Sequence, residues 1–237
     1  MKVISRKSEV QPILEECISA YHTIGLHNCV QRINDQLLRN PVKFPLLEYC
    51  GYELFLAVRP EEHVNLCNAI EQLKTEGGNV LLGTILQRRL EDHFEASLEK
   101  AVDYISNATI WHAPDIIGER VFGVALLKMP DQTILKLKIL FLHPSNWVIR
   151  SLGAGIHYAI KQGLREEHVQ QLFTLLLKNA RHPDKEVRQG VGWAAKTTAK
   201  FHPSLIELHA AEINNPTLVD NWFRTKVLSA LHPPQKD

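Results

Sequence analysis

The sequence predicts an all-helical protein, and three observations carry this prediction. Apolar residues recur with a period of 3.6, without the alternating Val, Thr and Tyr runs that are typical of β-strands. The 12 glycines and 12 prolines are spread along the chain and divide it into short segments. Residues 146–150 and 185–188 also repeat one pattern, in which apolar residues precede an arginine and small residues follow. The two copies of the pattern lie 38 residues apart. A repeat length between 30 and 40 residues is typical of two-helix HEAT-type units, whose small residues allow neighbouring helix pairs to stack closely.

The helices can be placed in order between these breaks. In the first half the apolar faces predict helices over Pro12–Thr23, Leu26–Arg39, 43–58, 61–75, 79–92 and 94–106. In the second half they predict helices over 114–128, 131–142, 145–162, 165–181, 184–201, 203–213 and 217–231. The breaks between them lie at Asn40-Pro41, Gly77-Gly78, Pro114, Pro130, Pro144, Gly163, Pro183, Pro203 and Pro216. This gives about twelve or thirteen short helices.

The repeat pattern favours one architecture. We predict a right-handed α-solenoid of about six HEAT-like helix pairs with a concave basic face. Residues 1–237 would form a single repeat domain, in which 1–75 are divergent N-terminal repeats and 76–237 carry the functional site. A globular helical bundle is the alternative, but its loops would not explain the repeated arginine.

Composition limits the class of protein. Hydrophobic residues make up 45% of the chain and charged residues 22%, which is ordinary for a soluble globular protein. No apolar run approaches the ~18–20 residues of a membrane span, and the first residues lack the apolar stretch of a signal peptide. The four cysteines have neither CxxC spacing nor a paired histidine motif. We therefore expect reduced core thiols, no disulfide or zinc framework, no membrane contact and a cytoplasmic location.

The formal net charge of +1 conceals an asymmetry. Residues 1–110 carry 11 Lys+Arg and 15 Asp+Glu, hence −4, whereas residues 111–237 carry 16 and 11, hence +5. All four tryptophans lie in the second part, at Trp111, Trp147, Trp193 and Trp222. Basic residues interleaved with aromatic ones are typical of a nucleic-acid surface, although an asymmetry of this size also occurs in unrelated proteins.

Two helix faces concentrate this charge. The 145–162 helix places Arg150, Ala154, His157 and Lys161 on one face by their 4, 3, 4 spacing. The 184–201 helix places Gln189, Trp193, Lys196 and Lys200 in the same way. Equivalent helices of a solenoid lie about 10 Å apart, so the two stripes would suit a row of backbone phosphates. The alternative is two solvated helix faces, but a solvated face seldom contains a tryptophan.

The segment before residue 116 offers a carboxylate. Pro114 is suited to the first position of a helix, which would place Asp115 in the first turn. The helix dipole would keep this carboxylate ionised, as stabilisation of a positive charge requires. The alternative is that Asp115 only complements the dipole.

Three segments together resemble a known family. They are 111–117 (Trp-His-Ala-Pro-Asp-Ile-Ile), 146–150 (Asn-Trp-Val-Ile-Arg), and Val191-Gly192-Trp193 with Ala199-Lys200. They resemble the HEAT-like-repeat alkylpurine DNA glycosylases, the AlkD-type DNA alkylation repair enzymes. That family has a Trp with an Asp four residues later, an Arg that opens a repeat helix, and a Trp after a Gly in the next repeat. Its features match Trp111, Asp115, Arg150 and Trp193. The resemblance covers about 94–205 and is weak over 1–75, where the family's Gly-Ile-x-x-Pro-Glu element is not evident.

The resemblance implies a DNA repair hydrolase that cleaves the N-glycosidic bond of cationic N3- or N7-alkylated purines in duplex DNA. It implies that Asp115 stabilises the oxocarbenium-like transition state and positions the water, with Trp111 and Trp193 packed against the cationic nucleotide. It also implies backbone contacts, with a phosphate clamped by Arg150 and further contacts from Lys161, Arg188, Lys196 and Lys200. No cofactor or metal is expected, and the protein would act as a monomer on alkylated double-stranded DNA. Two alternatives remain: a non-catalytic relative that recognises unusual DNA structure, and a protein-interaction scaffold.

Overall fold

The computed structural model describes residues 3–231, and this part of the chain is helical almost throughout. Its β-structure is an isolated parallel bridge between Ile4 and Val42. Contacts between Cα atoms divide the chain into two compact units, Met1–Ala101 and Val102–Asp237. The all-helical class is therefore confirmed. The number and handedness of the repeats, and the single repeat domain over 1–237, stay predictions.

Among its described residues the first unit contains six α-helices, the last of which crosses its boundary. They are α1 (Lys7–Thr23), α2 (Leu26–Arg32), α3 (Phe44–Ala57), α4 (His63–Glu71), α5 (Glu76–Arg89) and α6 (Phe94–Ser106). A π-helical turn over Ile33–Leu38 extends α2. The core is aliphatic and also contains the four cysteines, which are buried and free. Burial raises the pKa of the Cys67 thiol to about 12, as expected of an inert core thiol.

The second unit contains nine helices among the described residues. They are α7 (His112–Gly118), α8 (Val124–Lys128), α9 (Pro130–Leu140), α10 (Asn146–Lys161), α11 (Glu166–Lys178), α12 (Lys185–Phe201), α13 (Pro203–Leu208), α14 (Ala210–Ile213) and α15 (Asn221–Leu231). Helices α7, α10, α12 and α15 pack side by side in that order, and α9 packs beside α11. The unit therefore has a row of four helices, α7, α10, α12 and α15, with α9 and α11 packed beside its middle members.

Glycines bring three helices of this row into backbone contact. A Cβ on Gly118 of α7 would lie 2.4 Å from the Ser151 carbonyl oxygen of α10. A Cβ on Gly190 of α12 would lie 2.3 Å from the Arg150 carbonyl oxygen, and one on Gly153 would lie 2.2 Å from the Gly190 carbonyl. Such distances exclude any side chain larger than hydrogen at these positions. We call these three residues the glycine seam.

Several predicted helix limits were wrong for identifiable reasons. Helix α1 begins at Lys7 and contains Pro12, because the Glu9 carboxylate accepts hydrogen bonds from the Ser5 and Arg6 amides and so starts the helix earlier. Gly77 and Gly78 do not separate two helices, as predicted, but lie in the first turn of α5. The Thr75 hydroxyl caps this helix by accepting a hydrogen bond from the Gly78 amide at 3.1 Å.

The segment around Asp115 also differs from its prediction. Helix α7 begins at His112, so Pro114 is its third residue and not its first. Asp115 still lies in the first turn. A π-helical turn over Glu119–Gly123 separates α7 from α8, where one helix over 114–128 was expected. Likewise the predicted helix 203–213 divides at His209 into α13 and α14. In residues 3–231 no helix combines the length and apolar character that a bilayer crossing demands.

Candidate functional site

The glycine-packed row of helices lines a cavity of about 790 Å³ in the second unit. Seven of the eight predicted site residues line it: Asp115, Trp111, Trp193, Arg150, Lys161, Lys196 and Lys200. Residues far apart in the chain therefore meet at one place, as a shared site requires. Arg188 is the exception, and it is described below.

An ion-pair cluster of three residues lies at one end of the cavity. The Arg150 guanidinium donates from Nε to Oδ1 of Asp115 at 2.8 Å and from Nη2 to Oδ2 at 2.6 Å. Its Nη1 donates to Oε2 of Glu186. The side chains of Arg150, Asp115 and Glu186 are 7%, 13% and 23% exposed. Burial alone would lower the pKa of Arg150, but the hydrogen bonds and charges of Asp115 and Glu186 outweigh it and raise that pKa above its usual value.

The sequence assembles this cluster through equivalent positions. Asp115, Arg150 and Glu186 lie in or just after the first turns of α7, α10 and α12, and the glycine seam holds these turns against one another. The Asp184 carboxylate caps α12 by accepting from the Glu186 amide at 2.8 Å and the Val187 amide at 3.1 Å. The cap fixes the direction in which the Glu186 side chain leaves the helix.

Two tryptophans flank the buried arginine. The Arg150 guanidinium carbon lies 5.6 Å from the ring centroid of Trp111 and 5.9 Å from that of Trp147. Both distances are within reach of a cation–π contact. Trp111 is 57% exposed, which is unusual for so large an apolar ring. Its ring therefore offers apolar surface to a ligand beside the Asp115 carboxylate.

The third tryptophan packs on a histidine. The rings of Trp193 and His157 stack with centroids 4.0 Å apart and planes 28° apart. Nδ1 of His157 lies 2.6 Å from the Thr197 hydroxyl, which itself donates to the Trp193 carbonyl oxygen at 2.9 Å. Burial, helped by the charge of Lys161, lowers the pKa of His157 to about 4. His157 is therefore neutral at pH 7, and it supports one face of the Trp193 ring.

This burial corrects the predicted basic stripe on α10. Arg150, Ala154 and His157 are all buried, and only Lys161 of the four stripe residues is exposed. The reason is that α10 has α7 on one side and α12 on the other, so its polar face is covered by its neighbours. Arg150 is thus engaged by two carboxylates, whereas the resemblance implied a guanidinium that clamps a phosphate.

The lysines of α10 and α12 that line the cavity form a different zone. Lys161, Lys196 and Lys200 are exposed, and none forms an ion pair within residues 3–231. Lys161 follows Arg150 by eleven positions, and Lys196 follows Glu186 by ten. At 1.5 Å per residue these separations are about 15–17 Å along each helix. The cavity therefore has an acidic end at the helix starts and a basic end toward the helix termini.

Arg188 does not line the cavity, and its predicted contact with DNA stays a prediction. Its Nε donates to the His182 carbonyl oxygen at 2.8 Å, and its guanidinium carbon lies 5.9 Å from the Trp222 ring centroid. It is one position away from Gln189 on α12, and one helical step turns a side chain by about 100°. Arg188 therefore points away from the face that carries Trp193.

Sequence reasoning missed four residues that line the cavity: Glu186, Thr197, Phe201 and Lys226. His157 and Gln189 also line it; they were placed on the two stripes but given no role in the site. The sequence did contain a signal for Glu186. It precedes Gln189 by three residues, so it lies on the same face of the helix as Gln189, Trp193 and Lys196. Lys226 belongs to α15, the next helix of the row, and had no comparable signal. In the described part of the chain, no group of three or more His, Cys, Asp or Glu side chains could hold a metal ion.

Comparison with protein families gives one match for this chain. A family model described as DNA alkylation repair enzyme matches residues 67–225, which is more than half of the chain and includes every residue that lines the cavity except Lys226. Neither the search of curated proteins nor that of solved structures returned a match. The matched region contains all three members of the ion-pair cluster. The chain therefore belongs to the family of DNA alkylation repair enzymes, which gives it a role in DNA repair and DNA as its partner.

Proposed function

We propose that this protein is a DNA glycosylase that hydrolyses the N-glycosidic bond of purines alkylated at N3 or N7 in duplex DNA. The observation that carries the proposal is the Asp115 carboxylate, which is held by two hydrogen bonds from Arg150 beside the exposed Trp111 ring. A preorganised carboxylate next to an aromatic face is suited to a cationic sugar.

The chemistry of the substrate matches this arrangement. A purine alkylated at N3 or N7 carries a positive charge, so it leaves as a neutral base when it takes the electrons of the glycosidic bond. Positive charge then develops on the deoxyribose, and water adds to C1′ with loss of a proton. In our proposal Asp115 stabilises the developing charge and orients that water. The reaction requires neither a metal nor a cofactor, because the leaving group needs no further activation.

The structure supports a different role for Arg150 from the one that the resemblance implied. Its three hydrogen bonds to Asp115 and Glu186 leave two guanidinium N–H groups unused, and its charge is already matched by two carboxylates. We therefore assign Arg150 to orienting Asp115. The phosphate contacts belong in this proposal to Lys161, Lys196 and Lys200, which are exposed and form no ion pair in the described residues.

Release of methylated bases tests the proposal directly. The wild-type protein should liberate 7-methylguanine and 3-methyladenine from methylated duplex DNA, as measured by chromatography of the released bases. Asp115→Asn should slow release by about 10²–10³-fold while binding to the same duplex is retained, because an amide keeps the shape but loses the charge.

Asp131→Asn is the matched control. Asp131 lies in the first turn of α9, its side chain is 88% exposed, and it does not line the cavity. Its release rate should equal that of the wild type. Wild-type protein that releases no base above the rate in buffer would disprove the glycosylase and favour the non-catalytic DNA-binding alternative.

A further inference from the structure

The charge balance of the ion-pair cluster assigns a role to Glu186. Asp115 and Arg150 form a bidentate pair whose formal charges cancel. A neutral pair is a weak electrostatic partner for a cation, since the attraction of the carboxylate is opposed by the guanidinium beside it. The proposed chemistry needs a negative potential at this end of the cavity, and the pair alone does not supply it.

Glu186 restores that potential. Its carboxylate accepts from Nη1 of Arg150, so the three side chains together carry a formal charge of −1. Lys185 reaches Oε1 of Glu186 at 3.7 Å, but its side chain is 89% exposed. An ammonium so exposed is well screened by water and offsets little of this charge. The cavity lysines on α10 and α12 lie about 15 Å or more further along their helices. Lys226 of α15 packs against Gly192, six residues or about 9 Å past Glu186. All of these separations exceed the Debye length of physiological salt, which is about 8 Å.

We propose that Glu186 is a specificity-determining residue, which keeps this end of the cavity net negative and thereby selects cationic over neutral nucleotides. The inference rests on the proposed glycosylase function, whose substrates and transition state are cationic. Glu186 acts through Arg150. Its carboxylate neutralises the charge of the guanidinium, so that the charge of Asp115 remains available to attract the ligand.

A pair of abasic-site analogues tests the proposal without any turnover. One duplex contains a pyrrolidine abasic analogue, which is protonated at pH 7, and the other contains the neutral tetrahydrofuran analogue. The measured quantity is the ratio of their dissociation constants, because phosphate contacts are common to both duplexes and cancel. Wild-type protein should bind the cationic analogue more tightly by about tenfold or more, as expected of a cation a few ångströms from a net negative charge in a partly buried site.

Glu186→Gln keeps the size of the side chain and an acceptor for Arg150 but removes the charge. The preference of this variant for the cationic over the neutral analogue, measured as the ratio of the two dissociation constants, should fall about tenfold toward unity. Its affinity for the tetrahydrofuran duplex should stay within about threefold of the wild type. That second value also shows that the variant is folded. Release of 7-methylguanine should slow about 10- to 100-fold, which is less than for a group that faces the sugar itself.

Two further variants separate charge from geometry. Glu186→Asp keeps the charge and should retain most of the wild-type ratio. Glu167→Gln is the matched control, since Glu167 is also an acidic residue in the first turn of a helix of the second unit but does not line the cavity. Its ratio should be that of the wild type.

The outcomes distinguish this inference from the proposed function. A wild-type ratio in Glu186→Gln, or an equal loss in Glu186→Asp and Glu186→Gln, would overturn the role assigned to the charge of Glu186. If base release by the wild type is robust in the same preparations, the glycosylase proposal survives that result. If instead the wild type prefers the cationic analogue through Glu186 but releases no base, the role of Glu186 stands and the glycosylase proposal fails.

Discussion

The buried His157 predicts how the stability of the second unit depends on pH. Its pKa is lowered from 6.5 to about 4 by burial and by Lys161. The unfolded chain therefore binds more protons than the folded chain between these two values, so this contribution to stability is complete above about pH 6.5 and is lost as the pH falls toward 4. Between pH 7.5 and pH 4.5 the linkage relation gives a loss of about 2.5 kcal/mol from this one group.

Urea unfolding followed by tryptophan fluorescence measures this loss. All four tryptophans lie beyond residue 101, so the signal reports the second unit. The fluorescence signal therefore does not report on His63, a second histidine whose pKa is lowered by burial but which lies in the first unit. With a slope of about 2 kcal/mol per molar urea, the wild-type midpoint should move by roughly 1 M more than that of His157→Gln between the two pH values.

The variant supplies the control within the same experiment. Glutamine does not titrate, so its own pH dependence contains the carboxylates and other groups that both proteins share. Subtracting it leaves the contribution of His157. If wild type and His157→Gln lose the same free energy of unfolding between pH 7.5 and pH 4.5, the histidine is not held neutral in the folded protein and the reasoning is wrong.

Two further predictions concern the seam and the lysines. Gly190→Ala should lower the free energy of unfolding by about 1–3 kcal/mol, because its Cβ would meet the Arg150 backbone and force α10 and α12 apart. The same shift should weaken the Asp115–Arg150 pair, so urea unfolding and base release should both change, and an unaltered release rate would speak against the seam as the support of the site. The double variant Lys196→Gln, Lys200→Gln should reduce the salt dependence of duplex binding by about two phosphate contacts, as measured by anisotropy at several salt concentrations. Lys178→Gln serves as its control, because Lys178 is an exposed lysine at the end of α11 that does not line the cavity, and it should leave that slope unchanged.

The sequence predicted much of this arrangement because helical periodicity is a local property. The 3, 4 spacing on α12 correctly placed Trp193, Lys196 and Lys200 on one face, and the same spacing explains why Arg188 lies elsewhere. Helix starts were less predictable, since they depend on single capping contacts such as that of Glu9 with the Arg6 amide. Periodicity shows which residues share a face of a helix, but it does not show whether solvent or another helix lies against that face.

The burial of Arg150 shows that limit most clearly. Its position on the polar face of α10 was predicted, but its partners come from residues 35 and 36 positions away on two other helices. Only the packing of α7 and α12 against α10 decides whether that face meets solvent or protein. For the same reason, His157 was identified on the stripe while its stacking on Trp193 and its neutral state were not predicted.

The glycine seam has a consequence for the energetics of recognition. Helices in backbone contact have no intervening side chains that can change rotamer, so the helix backbones behind this wall have little freedom to lose when a ligand arrives. A duplex must then supply most of the conformational adjustment itself, and the cost of that adjustment depends on how firmly its bases are stacked. A nucleotide whose stacking is already weakened by damage starts closer to the bound geometry. Under the proposed function, the flexibility of the DNA is then part of the signal that marks the lesion.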